Sequence, residues 1–109
     1  MWIFSNATAK ASPIQMMRLC ECDILGLFCE YLNHDDPQNI EIVLDGIANV
    51  LNMGAYLAHQ HKTENQFLIE LENKGGVKRI EDLQQHPSTL VYNRALKILE
   101  DHFEIEDGL

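Results

Sequence analysis

The feature that most constrains the fold is a helical pattern of apolar residues across positions 39–53. Apolar side chains recur there at steps of three and four residues, which places them along one side of an α-helix. They are Ile40, Val43, Leu44, Ile47, Val50 and Leu51. Asp45 and Asn49 stand four residues apart and fall on another face. The pattern predicts a long central helix with a buried apolar stripe and an exposed polar pair.

The same polar spacing occurs at the start of the chain. Trp2 and Asn6 are also four residues apart, and the distance from this pair to Asp45 and Asn49 falls within the period of about 40 to 47 residues that armadillo and HEAT units show. The two pairs therefore predict equivalent helices in successive repeats.

Around the central helix, caps and turn residues divide the chain into further helices. Ser12-Pro13, Asp23 and Ser88 are typical helix starts, and Gly75-Gly76 is a typical helix stop. We expect a loop at residues 8–11, then a first helix with Ile14, Met17 and Leu19 as its apolar contacts, and in the last helix Leu90, Val91, Tyr92 and Phe103 in the core.

The order short, medium and long helix occurs twice and no strand signal appears, so the predicted fold is an all-α armadillo solenoid of three-helix units. The predicted parts are the end of a third helix (1–7), a complete repeat (8–59), an atypical last repeat (60–103) and an acidic tail (104–109). A plain helical bundle remains the alternative.

Composition narrows the function classes. The chain has 109 residues and a net charge of −9, from 17 acidic and 8 basic residues. Nucleic acids and anionic membranes need clustered Lys and Arg, so neither is an expected partner, whereas a basic peptide is. We expect no apolar run that reaches the length of a membrane span, and the N-terminus lacks the pattern of a signal peptide. The sequence therefore predicts a soluble intracellular protein.

Cysteine and histidine chemistry gives no strong pattern. The three cysteines, Cys20, Cys22 and Cys29, are an odd number, and their spacing, with His34 as a fourth ligand, matches no structural zinc motif. We expect reduced thiols, no metal, no cofactor and no catalysis. A thiol enzyme or a metal protein using His59, His61, His86 or His102 is the alternative from another class.

Side by side, Trp2 and Asn6 have the chemistry of a peptide site. An indole ring attracts a cation and packs against the methylenes of Lys or Arg, while an amide one turn along binds the backbone of an extended peptide. The structural alternatives are that Trp2 covers apolar surface and that Asp45 and Asn49 form a solvated helix face.

These residues resemble the importin-α (karyopherin-α) family, whose armadillo repeats carry Trp-x-x-x-Asn on their third helices. The opening segment, Trp2-Ile3-Phe4-Ser5-Asn6-Ala7-Thr8, is similar to the family's Trp-Ala-Ile-Ser-Asn-Ala-Thr signature. The similarity continues through residues 42–51, 75–84, 91–93 and 100–103, in the family's order.

The resemblance implies the C-terminal end of such a protein, in a right-handed superhelix: the third helix of the eighth repeat, the ninth repeat and the tenth. It implies that Trp2, Asn6, Asn49 and Asp45 line the groove for nuclear localisation signals, with Leu96 and Glu100 in the equivalent positions of the last repeat. Two departures affect loop geometry: Lys10-Ala11 replaces a Gly-Gly pair, and Asp23 stands where the family has glycine.

The resemblance also implies partners. These are basic cargo proteins, importin-β through an N-terminal segment that this chain lacks, and an export receptor and nucleoporins at the last repeat, with residues there unassigned. Such a protein would move between cytoplasm and nucleus. An armadillo or HEAT scaffold unrelated to nuclear import is the remaining alternative.

Overall fold

The computed structural model describes residues 2–33 and 36–103, where the regular secondary structure is entirely helical. The helices are α1 (Trp2–Lys10), α2 (Pro13–Glu21), α3 (Ile24–Tyr31), α4 (Pro37–His61), α5 (Gln66–Asn73), α6 (Gly76–Asp82) and α7 (Thr89–His102), with a 3₁₀ turn at Leu83–Gln85. The all-α armadillo prediction is confirmed. The predicted acidic tail, 104–109, lies outside the described residues.

Helix α4 lies at the centre of the fold. It packs against α1, α2, α3, α5 and α7, and the predicted apolar stripe faces this core. Contrary to the sequence expectation, Pro37–His61 is by length and composition apolar enough to cross a membrane, since it contains an 18-residue stretch with a mean hydropathy of 1.3. Eight of its residues are buried among the other helices, so its apolar character is explained by the core.

A close approach between α3 and α4 sets the centre of the core. Phe28 of α3 is fully buried, and its ring lies directly over Gly46 of α4. A Cβ atom added to Gly46 would lie 2.7 Å from the Phe28 ring. Glycine at position 46 therefore lets the aromatic ring pack onto the helix backbone.

The helix starts are fixed by the predicted capping chemistry. The Ser12 hydroxyl accepts a hydrogen bond from the Gln15 backbone N–H (3.2 Å), and the Gln15 side chain accepts one from the Ser12 N–H (2.9 Å). Ser88 caps α7 as predicted, and Asp36, which was not among the predicted helix starts, caps α4. These caps satisfy amide groups that a helix start otherwise leaves without partners.

Several local predictions were wrong. Helix α1 continues to Lys10, so residues 8–10 are helical. In α2 the buried residue is Met16, while Ile14 and Met17 are 66% and 51% exposed. A nine-residue helix contains too few apolar residues to determine which face is covered.

In α7, Val91 is buried as predicted, but Leu90 is 54% exposed and Tyr92 is 36% exposed. Phe103 packs against the core, as predicted. The buried face of α7 consists of Val91, Ala95, Ile98 and Leu99. Leu90 and Tyr92 lie beside this face and are only partly covered.

Asp23 occupies a turn that favours glycine. Its φ is +64°, in the left-handed region, and Gly75 in the corresponding turn between α5 and α6 has a φ of +78°. Asp23 makes no side-chain cap to α3, contrary to the prediction. Its carboxylate instead pairs with the Lys74 ammonium at 2.6 Å, which links the turn before α3 to the end of α5.

We expect Gly46→Ala to lower the free energy of unfolding. Alanine is about 1 kcal/mol better than glycine in a helix, but overpacking a buried ring costs roughly 1–3 kcal/mol, so the net loss in urea unfolding should be up to about 2 kcal/mol. The matched control is Gly46→Ala in a Phe28→Leu background, where the added methyl group has room and should be neutral or stabilising. An increase in stability with Phe28 present would contradict this packing account.

The Asp23–Lys74 pair should give stability a defined pH dependence. The hydrogen bond from Lys74 lowers the pKa of Asp23 below its ordinary 3.8, and the same bond raises the pKa of Lys74 above 10.5. The pair's contribution is therefore complete between these ordinary values. It is lost as the pH falls through the depressed Asp23 pKa, or rises through the elevated Lys74 pKa.

Urea midpoints of the wild type and Asp23→Asn should accordingly differ by a constant amount from about pH 5 to 9 and converge below about pH 4. Asp82→Asn, which removes an exposed pair with Lys78 within α6, is the control and should change the midpoint little. A difference that persists unchanged at pH 2 would assign the Asp23 effect to its backbone conformation.

Candidate peptide-binding face

Three helices carry the residues of the predicted groove. Helices α1 and α7 both pack against α4. Glu41, Asp45 and Asn49 follow one another at four-residue intervals along α4, so they form one line on its surface. We call this line the polar stripe, and the surface formed by α1, the stripe and α7 the trough.

The α1 end of the polar stripe is a chain of hydrogen bonds. The Asn49 amide nitrogen Nδ2 donates to the Thr8 hydroxyl Oγ1 at 3.2 Å, and that hydroxyl donates to the Ser5 carbonyl at 2.6 Å. Thr8 is buried and Asn49 is half-buried. The contact fixes the Asn49 amide at the boundary between α1 and α4, next to the helix that carries Asn6.

The α7 end of the polar stripe is an ion-pair network. The Arg94 guanidinium donates through Nε to Asp45 Oδ1 at 2.9 Å and through Nη1 to Glu41 Oε1 at 3.1 Å. The Glu41 side chain is only 17% exposed, and that of Asp45 is 53% exposed. A single cation therefore binds two carboxylates one helical turn apart.

The predicted groove residues are thus placed differently from one another. Asn49 is half-buried at the α1–α4 boundary, Asn6 is half-buried on α1, and Asp45 is exposed but paired with Arg94. Leu96 is half-buried and Glu100 exposed on α7. Trp2 begins α1, one turn before Asn6.

An open groove that sequence reasoning missed lies next to Asn49. It has a volume of about 480 Å³ and is lined by Thr8, Ala9, Ala11, Pro13, Met16, Asn49, Asn52, Met53 and Tyr56. Tyr56 is 56% exposed, and Asn52 lies one turn before it on the same helix. The four-residue spacing of Asn52 and Tyr56 was the available signal, because it again places an amide beside an aromatic ring.

Two of the three thiols, those of Cys20 and Cys29, do not have the environment of a nucleophile. Burial raises the pKa of Cys20 to about 12, with a further contribution from the Glu70 charge. Burial also raises the pKa of Cys29. A reactive cysteine needs a lowered pKa, so neither of these buried thiols supports the thiol-enzyme alternative.

The metal alternative also gains no support from the positions that the structure describes. Within residues 2–33 and 36–103, no three His, Cys, Asp or Glu side chains form a group that could hold a metal ion. His34 lies outside these ranges. His102 is half-buried, and burial lowers its pKa.

Comparison with known proteins agrees with this architecture. The model of the atypical Arm repeat family matches residues 65–108. Importin subunit alpha-3 of Caenorhabditis elegans is 35% identical over 95 residues, which cover 87% of this chain and 17% of that protein. Importin subunit alpha-2 of Arabidopsis thaliana is 32% identical over 98 residues, 88% of this chain and 18% of that protein.

Importin subunit alpha of Saccharomyces cerevisiae is 34% identical over 83 residues, which cover 74% of this chain and 15% of that protein. The chain therefore spans less than a fifth of the length of these three relatives.

We expect Arg94→Gln to lower the free energy of unfolding by about 1–2 kcal/mol, because it leaves the largely buried Glu41 without its cation. Lys97→Gln removes the same charge from the same helix but breaks only an exposed pair with Asp101, so it should cost less than about 0.5 kcal/mol. The measurement is urea unfolding at low and high salt. Equal losses in both variants would show that the Arg94 network does not join α7 to α4.

Proposed function

The chain belongs to the importin-α family, and from that membership we propose that it forms part of the peptide-binding trough of a nuclear import adaptor. The proposed ligand is a basic nuclear localisation signal in an extended conformation. Trp2, Asn6 and Asn49 are its proposed contacts. The protein acts by binding and catalyses no reaction.

The observation that carries this proposal is the position of Asn49. Its side chain is held by Thr8 through one N–H, which leaves the carbonyl oxygen and the second N–H to bind a peptide backbone. The groove at Asn52 and Tyr56 continues from the same point. An amide fixed in this way contributes to binding without first losing rotational freedom.

Charge supports the choice of a basic ligand. The chain's net charge of −9 attracts a Lys- and Arg-rich peptide and speeds its association. Asp45 was predicted as a fourth contact, but it is engaged by Arg94. We therefore assign Asp45 no direct contact with the peptide.

We further propose that the repeat formed by α5, α6 and α7 is a docking site for an export receptor or a nucleoporin, and that importin-β is another partner. This part of the proposal rests on family membership and implies movement between cytoplasm and nucleus. No nucleic acid or membrane partner is proposed.

The test is a fluorescence titration, because Trp2 is the single tryptophan in the chain. A Lys/Arg-rich signal peptide should change Trp2 fluorescence with a Kd on the order of 0.1 mM or weaker, since the proposed contacts comprise one Trp–Asn pair and one further amide. The same peptide with Glu in place of each Lys and Arg is the ligand control. Equal binding of both peptides, or of neither, would refute the proposal.

Asn49→Ala should raise the Kd of the basic peptide by about 2- to 10-fold, which is the effect of losing one or two hydrogen bonds. Asn73→Ala is the matched control, because Asn73 is an exposed asparagine at the end of α5, and it should leave the Kd unchanged. Circular dichroism checks that both variants keep their helicity. An equal loss of affinity in Asn73→Ala would exclude a specific role for Asn49.

A further inference from the structure

We propose that Arg94 is a specificity-determining residue of the trough: it occupies the acid pair Glu41 and Asp45, and so keeps the cationic side chains of a peptide out of the half between α4 and α7. The inference rests on the proposed peptide-binding function. It concerns where along the trough a basic peptide binds.

The geometry shows that the acid pair accommodates a cation. The two carboxylates lie one helical turn apart on α4, and one guanidinium binds both through two different nitrogens at 2.9 and 3.1 Å. Charge-assisted bonds of this length are the strong type. A Lys or Arg from a peptide would have to share these two carboxylates with a guanidinium that already binds one oxygen of each and neutralises one of their two charges.

Competition for this acid pair favours Arg94. A group tethered in the same molecule has an effective concentration in the millimolar range or higher, whereas a peptide at micromolar concentration supplies far less. Glu41 is 17% exposed, so an incoming cation would also have to enter a largely covered position. A peptide cation therefore gains little from this half of the trough while Arg94 is in place.

The charge of the network has a second consequence. Two carboxylates and one guanidinium leave this network with a single net negative charge. The α1 half, in contrast, offers the uncharged amides of Asn6 and Asn49. A peptide with one short basic cluster should therefore bind here as tightly as one with two clusters.

The direct test uses tetralysine amide as the probe and the side-chain carboxyl ¹³C resonances of Glu41 and Asp45 as the readout. Arg94→Gln should tighten tetralysine binding at these carboxylates by about two- to fivefold relative to the wild type, the range expected for a partly exposed ion pair. Lys97→Gln changes the net charge equally on the same helix and should give a smaller gain. Equal gains in both variants, or none in Arg94→Gln, would overturn the proposal.

Two further variants cover the case in which Arg94→Gln fails to fold. In Arg94→Lys the charge is kept, but the ammonium can bind at most one of the two carboxylates well. The affinity of this variant for tetralysine should therefore lie between those of the wild type and Arg94→Gln. Asp45→Asn in the presence of Arg94 should change the Kd of the basic signal peptide by less than twofold. A fivefold loss with Asp45→Asn would mean that the peptide uses Asp45 directly, and would overturn the proposal.

The readouts separate this inference from the proposed function. Trp2 fluorescence and Asn49→Ala report on the α1 half, while the Glu41 and Asp45 resonances report on the α7 half. If the signal peptide fails to bind but Arg94→Gln alone gains affinity for tetralysine, the proposed function fails and the role of Arg94 stands. If the signal peptide binds but Arg94→Gln does not increase the affinity of the acid pair for tetralysine, only the role of Arg94 is refuted.

Discussion

The burial of α4 is the interaction on which the remaining structure depends. Helices α2, α3, α5 and α6 have seven to nine residues, and isolated helices of this length are marginal in water. They persist because α2, α3 and α5 pack against α4, while α6 packs against α5 and α7. The contact of Phe28 with Gly46 brings α3 close to α4, and α1 and α7 both bond to the polar stripe.

How far the sequence predicts this fold depends on helix length. The 25-residue helix α4 has enough apolar positions to define its buried face. The six apolar residues of the pattern, the first of which is Ile40 and the last Leu51, are all buried as predicted. Ser12 and Ser88 identify helix starts because capping depends on one local side chain. The prediction of the buried face of α2 was wrong because the apolar residues Ile14, Met16 and Met17 are compatible with more than one buried face of a helix.

The candidate site was predictable only within each helix. The spacing of Asp45 and Asn49 correctly places them on one line of α4, because four residues make about one turn. Their partners, Arg94 and Thr8, lie 49 and 41 residues away. Such contacts depend on how far one helix is shifted along its neighbour, and that shift is set by the packing of the whole core. The Asp23 turn is similar, since its carboxylate is bound by Lys74 from another helix.

In the proposed function, different features of the chain attract a basic peptide and determine where it binds. Long-range attraction of a basic peptide depends on the summed charge of −9, to which every acidic residue contributes. Placement depends on the few polar groups that remain available along the polar stripe. At Asn49 a hydroxyl occupies one donor and leaves the rest of the amide available, whereas one oxygen of Asp45 and one oxygen of Glu41 already accept from the same guanidinium. An acidic surface can therefore draw a cationic ligand toward the trough and still bind it at the uncharged end.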